Sequence, residues 1–143
     1  MLAYKINRKH IKNRIFIPKY YDPDLYAQIT ALIETHDLHN LGDLIDSGVI
    51  AVQTGHEIGK MAYGTGNIPF VRTSDITNWE IKTIPKQGVS EDIYQLYAEK
   101  EDVKAGDILM VRDGTYLIGT NCIITPLDIP MVFQSHILKF RVA

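Results

Sequence analysis

The sequence predicts an α+β domain: a curved, mainly antiparallel sheet with a few packed helices. Two stretches combine a good N-cap with apolar residues at helical spacing. Several short β-rich runs are set apart by Gly, Pro and Asp-Gly turn signals, most densely in the last third. No internal repeat or heptad pattern competes with this arrangement. At 143 residues the chain is long enough for one domain with its own core.

The elements follow in chain order. Residues 11–17, IKNRIFI, predict a short strand. In YDPDLYAQITALIETH, Asp22 is a suitable N-cap, Pro23 fits the first helical position and Asp24 complements the helix dipole. Leu25, Ile29, Leu32 and Ile33 share one face, so a helix is expected near 23–35. LHNLGDLIDSG reads as a turn with one helical turn, and GVIAVQ as a strand. TGHEIGKMAYGTGN, rich in glycine, reads as an exposed loop. IPFVRT is the next strand. SDITNWEIK has turn chemistry followed by renewed strand character, with Trp79 expected in the core. GVSEDIYQLYAEKE predicts a second helix capped by Ser90, with Ile93, Leu96 and Tyr97 on one face. AGDILMVRDGTYLIGTNCIITPL predicts two strands around an Asp113-Gly114 hairpin turn. MVF and HILKFRV supply two more strands after the LDIP turn. Residues 1–37 are expected to form a basic N-terminal segment and linker helix, and 38–143 the main domain.

Charge divides unevenly along the chain. Residues 1–19 carry Lys5, Arg8, Lys9, Lys12, Arg14 and Lys19 and no acid. The remainder holds nine bases against seventeen acids, a net of −8. A body this acidic does not hold nucleic acid by bulk attraction, because neutralised phosphates supply most non-specific affinity. The basic segment reads equally as a solvated tail and as a phosphate-binding arm. The apolar runs are too short to span a membrane, and MLAYKINRKH lacks a signal-peptide core. The lone Cys122 sits in the apolar run NCIIT and reads as a buried, inert thiol. A cytoplasmic location is expected.

Several catalytic signatures fail on spacing. Gly55 and Gly59-Lys60 are too close for a phosphate loop, and Met61 stands where Ser or Thr is needed. HEIGK has one histidine, not two, and no Gly-x-Ser-x-Gly occurs. Asp75 followed by Glu80-Ile81-Lys82 echoes a metal-dependent nuclease pattern. Its acid and its Glu-x-Lys lie too close in sequence to form neighbouring strands, so a turn acid with a solvated Glu and Lys is the expected arrangement. No metal site is expected, and no cofactor.

Two segments carry a resemblance. They are Gly66-Asn67-Ile68-Pro69-Phe70-Val71-Arg72-Thr73-Ser74-Asp75-Ile76 and Gly106-Asp107-Ile108-Leu109-Met110-Val111-Arg112-Asp113-Gly114, the latter closed by Ile118-Gly119. With Leu41-Gly42-Asp43-Leu44 upstream, their order and spacing resemble the target recognition domain of type I restriction-modification specificity subunits. Similar domains end fused adenine methyltransferases. The resemblance covers roughly residues 38–142 and implies a mixed fold that reads half of a split DNA target. It implies an adenine methyltransferase partner, subunit or fused domain, that holds the S-adenosylmethionine, and in some systems a restriction subunit. The sequence departs from the standard subunit in having one recognition domain and no long helix after it. A fragment or a domain cut from a methylase fusion is therefore expected. Ile68, Phe70, Ile76, Ile108, Met110 and Ile118 suit a packed sheet, so the segments mark scaffold more than reading surface.

Base reading needs directional donors and acceptors, and phosphate anchoring needs Lys, Arg, hydroxyls and backbone N–H groups. The candidates are Lys60 and Tyr63 in the glycine-rich loop, Arg72 and Thr73 at a strand end, and Asn78 beside Trp79. Arg112, Thr115 and Tyr116 at the hairpin tip and Gln134 in the last turn complete the set. Arg112 and Asp113 also read as a local ion pair. A protein-interaction domain that assembles a methylase complex without reading bases is the competing expectation.

Overall fold

A computed structural model of the chain describes residues 5–12, 15–77, 79–82 and 84–143, and divides it into two compact units, Met1–Asn40 and Leu41–Ala143.

In the first unit, single-turn 3-10 helices at Arg8–His10 and Pro18–Tyr21 precede α1, Pro23–Ile33. The Asp22 side chain accepts from the Asp24 N–H at 3.0 Å, and Pro23 occupies a position whose N–H has no helical partner to lose. The strand expected over 11–17 does not form among the described residues there. The Tyr21 hydroxyl donates to the Ile15 carbonyl at 2.8 Å and accepts from the Lys12 N–H at 3.1 Å. The Ile15 N–H turns back to the Lys12 carbonyl at 2.9 Å. Backbone groups that a strand would offer a neighbour are satisfied locally. Leu25, Ile29, Leu32 and Ile33 do share a face of α1, and that face is exposed.

The second unit is α+β. It begins with α2 (Leu41–Asp46), β1 (Ile50–Thr54), β2 (Ile68–Val71), β3 (Ile76–Thr77), β4 (Glu80–Ile81) and β5 (Gly88–Val89). It continues with α3 (Glu91–Glu101), β6 (Ile108–Val111), β7 (Asn121–Ile123), β8 (Val132–Phe133) and β9 (Ile137–Val142). An antiparallel four-stranded sheet runs in the order β1-β9-β6-β7. A three-stranded sheet, β5-β2-β8, pairs β2 antiparallel with β5 and parallel with β8. β3 and β4 form a short hairpin.

Strand alternation builds two cores from one pair of strands. Successive side chains leave opposite faces of a strand. Val71 and Phe133 therefore enter a cluster with Ile76, Leu109, Val111, Cys122 and Ile137. Phe70 and Val132 enter a second cluster with Val89, covered by Ile93, Tyr94 and Tyr97 of α3. Ser90 caps α3 by accepting from the Ile93 N–H at 3.4 Å. Leu96, expected on the buried face, is exposed: the helix turns the line through Ile93, Tyr97 and the fully buried Glu101 inward, and Leu96 lies off it. Gly66 is fixed by close approach, since a Cβ there would meet the Val89 carbonyl oxygen at 2.4 Å.

Three expectations are corrected here. β6 and β7 do pair, but residues 112–120 connect them, not a tight turn at Asp113-Gly114. Leu117 packs against the first core cluster, which a two-residue turn would not reach, and Ile118 is consequently turned out and exposed. Trp79 is not in the core. Its backbone is left-handed, φ 80, at the β3–β4 turn, its N–H donates to the Asn121 carbonyl at 2.9 Å, and its side chain is 75% exposed. Holding a bulky residue there costs about 1–3 kcal/mol.

Candidate functional site

Loops from distant parts of the sequence meet at one end of the four-stranded sheet. The register pairs Thr54 with Leu138, Val111 with Ile137 and Met110 with Asn121, so the end of β1, the start of β9, the end of β6 and the start of β7 share one edge. Residues 133–137 are the hub. The Gln134 N–H donates to the Val71 carbonyl at 2.9 Å, the His56 N–H to Phe133 at 3.0 Å, the Gly55 N–H to Ile137 at 3.3 Å and the Arg112 N–H to His136 at 2.8 Å. These bonds gather the loop after β1, the turn after β2 and the 112–120 loop around 134–136.

Side chains extend the same convergence. Asp113 accepts from Arg112 Nε at 2.6 Å and bonds His136 Nδ1. The hydrogen bond with His136 and then that from Arg112 hold the Asp113 carboxyl below its ordinary range. On the other side of His136, Glu57 Oε1 lies 3.9 Å from Nε2 and accepts from the Ser135 hydroxyl. Arg72 is mostly buried beside the buried Asp75, with Nε 3.9 Å from Oδ2. That Nε has no hydrogen-bond partner among the described residues. Asp75 accepts from the Arg72 N–H at 3.1 Å and the Lys86 N–H at 3.3 Å, Lys82 Nζ donates to the Ser74 carbonyl, and Glu80 is exposed. Asp75 is thus a turn-closing acid, but the expectation that the stretch is too short for neighbouring strands is corrected: β3 and β4 pair directly, and the Lys82 N–H donates to the Asp75 carbonyl at 2.9 Å. No group of three or more His, Cys, Asp and Glu placed to hold a metal ion occurs among the described residues.

Beneath the hub lies a buried carboxylate that sequence reading missed. Glu101, fully buried at the end of α3, accepts from the Phe133 N–H at 2.9 Å through Oε2, and its Oε1 lies 2.9 Å from His56 Nδ1. Burial pushes its carboxyl above the ordinary range against the opposing hydrogen bonds from His56 and Phe133. A second charged group follows along β9. Lys139 is buried and donates to the backbone carbonyls of Glu101 and Asp102, and burial lowers its ammonium below the ordinary range. Arg141 grips Asp107 with Nε to Oδ1 at 2.7 Å and Nη2 to Oδ2 at 2.8 Å, and reaches Asp102 Oδ2 with Nη1 at 2.7 Å. Hydrogen bonds from Arg141 and Lys104 lower the Asp102 carboxyl to about 2. Burial pushes the Asp107 carboxyl up, but Arg141 and the Lys104 N–H together hold it below the ordinary range. Lys139 carries no apolar signature in the sequence, and its partners are remote in the chain.

The candidate residues fall as follows. Lys60 starts a single-turn 3-10 helix, Lys60–Ala62, and is exposed. Tyr63 is half-buried, its ring centroid 5.5 Å from that of Phe70, so it braces the loop. Thr73 opens the 3-10 turn Thr73–Asp75. Thr115 accepts from the Leu117 N–H at 3.3 Å, while Tyr116 is almost wholly exposed. Gln134 is half-buried in the hub and bridges to His56. Asn78 lies outside the described residues. Lys60, Arg72, Arg112, Tyr116 and Gln134 thus belong to loops of one sheet end, and Tyr63 and Thr115 shape those loops. No protein family matches the chain, and no curated protein matches it. No helix among the described residues is long and apolar enough to cross a membrane.

Proposed function

We propose that this chain is a non-catalytic DNA-recognition module that directs an adenine methyltransferase, and in some systems a restriction subunit, to its target. The observation that carries the reading is the convergence of three remote loops on the 134–136 turn. Loops on a rigid sheet edge suit sequence reading because the scaffold fixes where each donor and acceptor stands. Two features add support. Arg72, paired with Asp75, stands at the end of β2 where these loops meet, and Arg112 and Tyr116 of the 112–120 loop and Lys60 of the loop after β1 offer exposed contacts. Its cations are matched by Glu57, Asp75 and Asp113, so the grip on phosphate falls to the partner and to the basic segment before α1. In the first unit that segment lines a concavity of about 630 Å³ with Lys5, Lys9 and Lys12. S-adenosylmethionine belongs to the methylase in this reading, and the setting is the cytoplasm.

The test is methylation by the assembled enzyme with Arg72→Ala and Arg112→Ala chains. Loss of a base contact costs about 1–3 kcal/mol and relaxes specificity at one position. Loss of a phosphate contact weakens all sequences alike. Unchanged kinetics and unchanged target in both variants would remove this sheet end from the reading surface. A chain that assembles the methylase complex while target choice stays with another subunit would favour an interaction domain, which the acidic body also suits.

A further inference from the structure

A groove of about 330 Å³ opens beside the β3–β4 hairpin, within the second unit. Trp79 lines it together with Pro69, Ile81, Pro85, Ile123 and Leu127. Trp79 and Leu127 are 75% and 96% exposed, and the indole is turned outward by a left-handed backbone that a large side chain adopts at a cost. Strain kept to expose an aromatic ring beside a groove points to contact with something outside the chain.

The charges on the groove decide what that is. Lys82, its cation, donates to the Ser74 carbonyl. Asp128 accepts from the Thr125 N–H at 2.7 Å and from the Thr125 hydroxyl. The Glu80 carboxylate is exposed and makes no ion pair or hydrogen bond among the described residues. The groove therefore offers an aromatic face, aliphatic walls and an uncommitted carboxylate, with its cation already engaged. Phosphate is repelled by that set. A guanidinium is suited to it, since it stacks on an indole, pairs with a carboxylate and lays its aliphatic stem along apolar surface.

We infer that this groove docks an arginine-centred, extended segment of a partner protein, with the guanidinium between Trp79 and Glu80. The inference does not depend on DNA reading. Trp79 is the chain's only tryptophan, so its emission reports the groove directly. The intact chain is titrated with a blocked Leu-Pro-Arg-Pro-Leu peptide, with the same peptide carrying Glu in place of Arg, and with a short duplex DNA. The expected result is a saturable emission change with the arginine peptide only, weakened at least about tenfold in Glu80→Lys. Glu80 is exposed, and an unchanged circular dichroism spectrum checks that the variant is folded. No saturable change, equal response to both peptides, or unchanged affinity in Glu80→Lys overturns the inference. An emission change with duplex DNA that the arginine peptide does not compete away also overturns it, by assigning the groove to nucleic acid.

Discussion

Replacing Glu101 tests whether the loop hub rests on a buried carboxylate. In Glu101→Ala the Phe133 N–H, in a fully buried residue, loses its 2.9 Å acceptor, and His56 Nδ1 loses its partner. An orphaned buried donor costs about 1–3 kcal/mol. The one lost methylene adds about 0.8 kcal/mol, and relief of the buried charge gives part of this back. The net loss is about 2 kcal/mol, which at a urea slope of about 2 kcal/mol/M lowers the unfolding midpoint by about 1 M. Glu101→Gln separates hydrogen bonding from charge. Its carbonyl can still accept from Phe133, and its amide can donate to His56 once the imidazole shifts tautomer. The glutamine variant should therefore lose less than about 0.5 M. The pH dependence has a definite sign. Burial raises the folded-state carboxyl above its unfolded value, so the native chain binds that proton more tightly. The contribution of Glu101 to stability falls as pH rises from the ordinary carboxylate range through the raised value, and Glu101→Gln lacks that decline. Urea titrations of the three chains across this range decide the matter. Equal midpoints for the alanine and glutamine variants, or a glutamine variant that declines with pH as the parent does, would refute the reasoning.

Other perturbations probe the same frame. A Cβ on Gly55 would lie 2.1 Å from the Phe133 carbonyl oxygen and 2.6 Å from that of Gln134, both backbone atoms of the hub. Gly55→Ala should cost about 3 kcal/mol or prevent folding, and a urea midpoint equal to the parent's would show that the loop gives way instead. Burial, then the charge of Asp128, pushes the Cys122 thiol up to about 11. The native chain should therefore resist a disulfide thiol reagent at mildly alkaline pH and react once unfolded in denaturant, whereas rapid native labelling would mean the strand opens.

What the sequence disclosed depended on how local its cause was. The α1 and α3 caps at Asp22 and Ser90 are set by neighbours within three residues, and both formed where their residue types placed them. The strand runs at 50–54, 68–71, 108–111 and 137–142 carried enough β-branched and apolar residues to be read directly. Leu117 and Trp79 were not legible. The first is drawn inward by a cluster assembled from six strands, and the second is turned outward by a backbone torsion at a hairpin turn. β9 is the clearest case. Its alternation of Leu138, Phe140 and Val142 with Ile137, Lys139 and Arg141 suggests the wrong buried face, because Lys139 goes inside only when Glu101, Asp102 and Asp107 arrive from elsewhere. The candidate residues were legible as types, while the meeting of the loops after β1, β2 and β6 around 134–136 follows from sheet register and is not local to any of them.

The bonds that hold the hub run from backbone to backbone: His56 to Phe133, Gln134 to Val71, Arg112 to His136 and Gly55 to Ile137. Apart from the glycine, none depends on which side chain stands at its position. Lys60, Tyr116, Gln134 or Ser135 can be exchanged without unseating the loops that carry them. The fold therefore separates the frame from the side chains it displays, so residues on this surface can change one at a time while stability is guarded by Glu101 and the strands beneath.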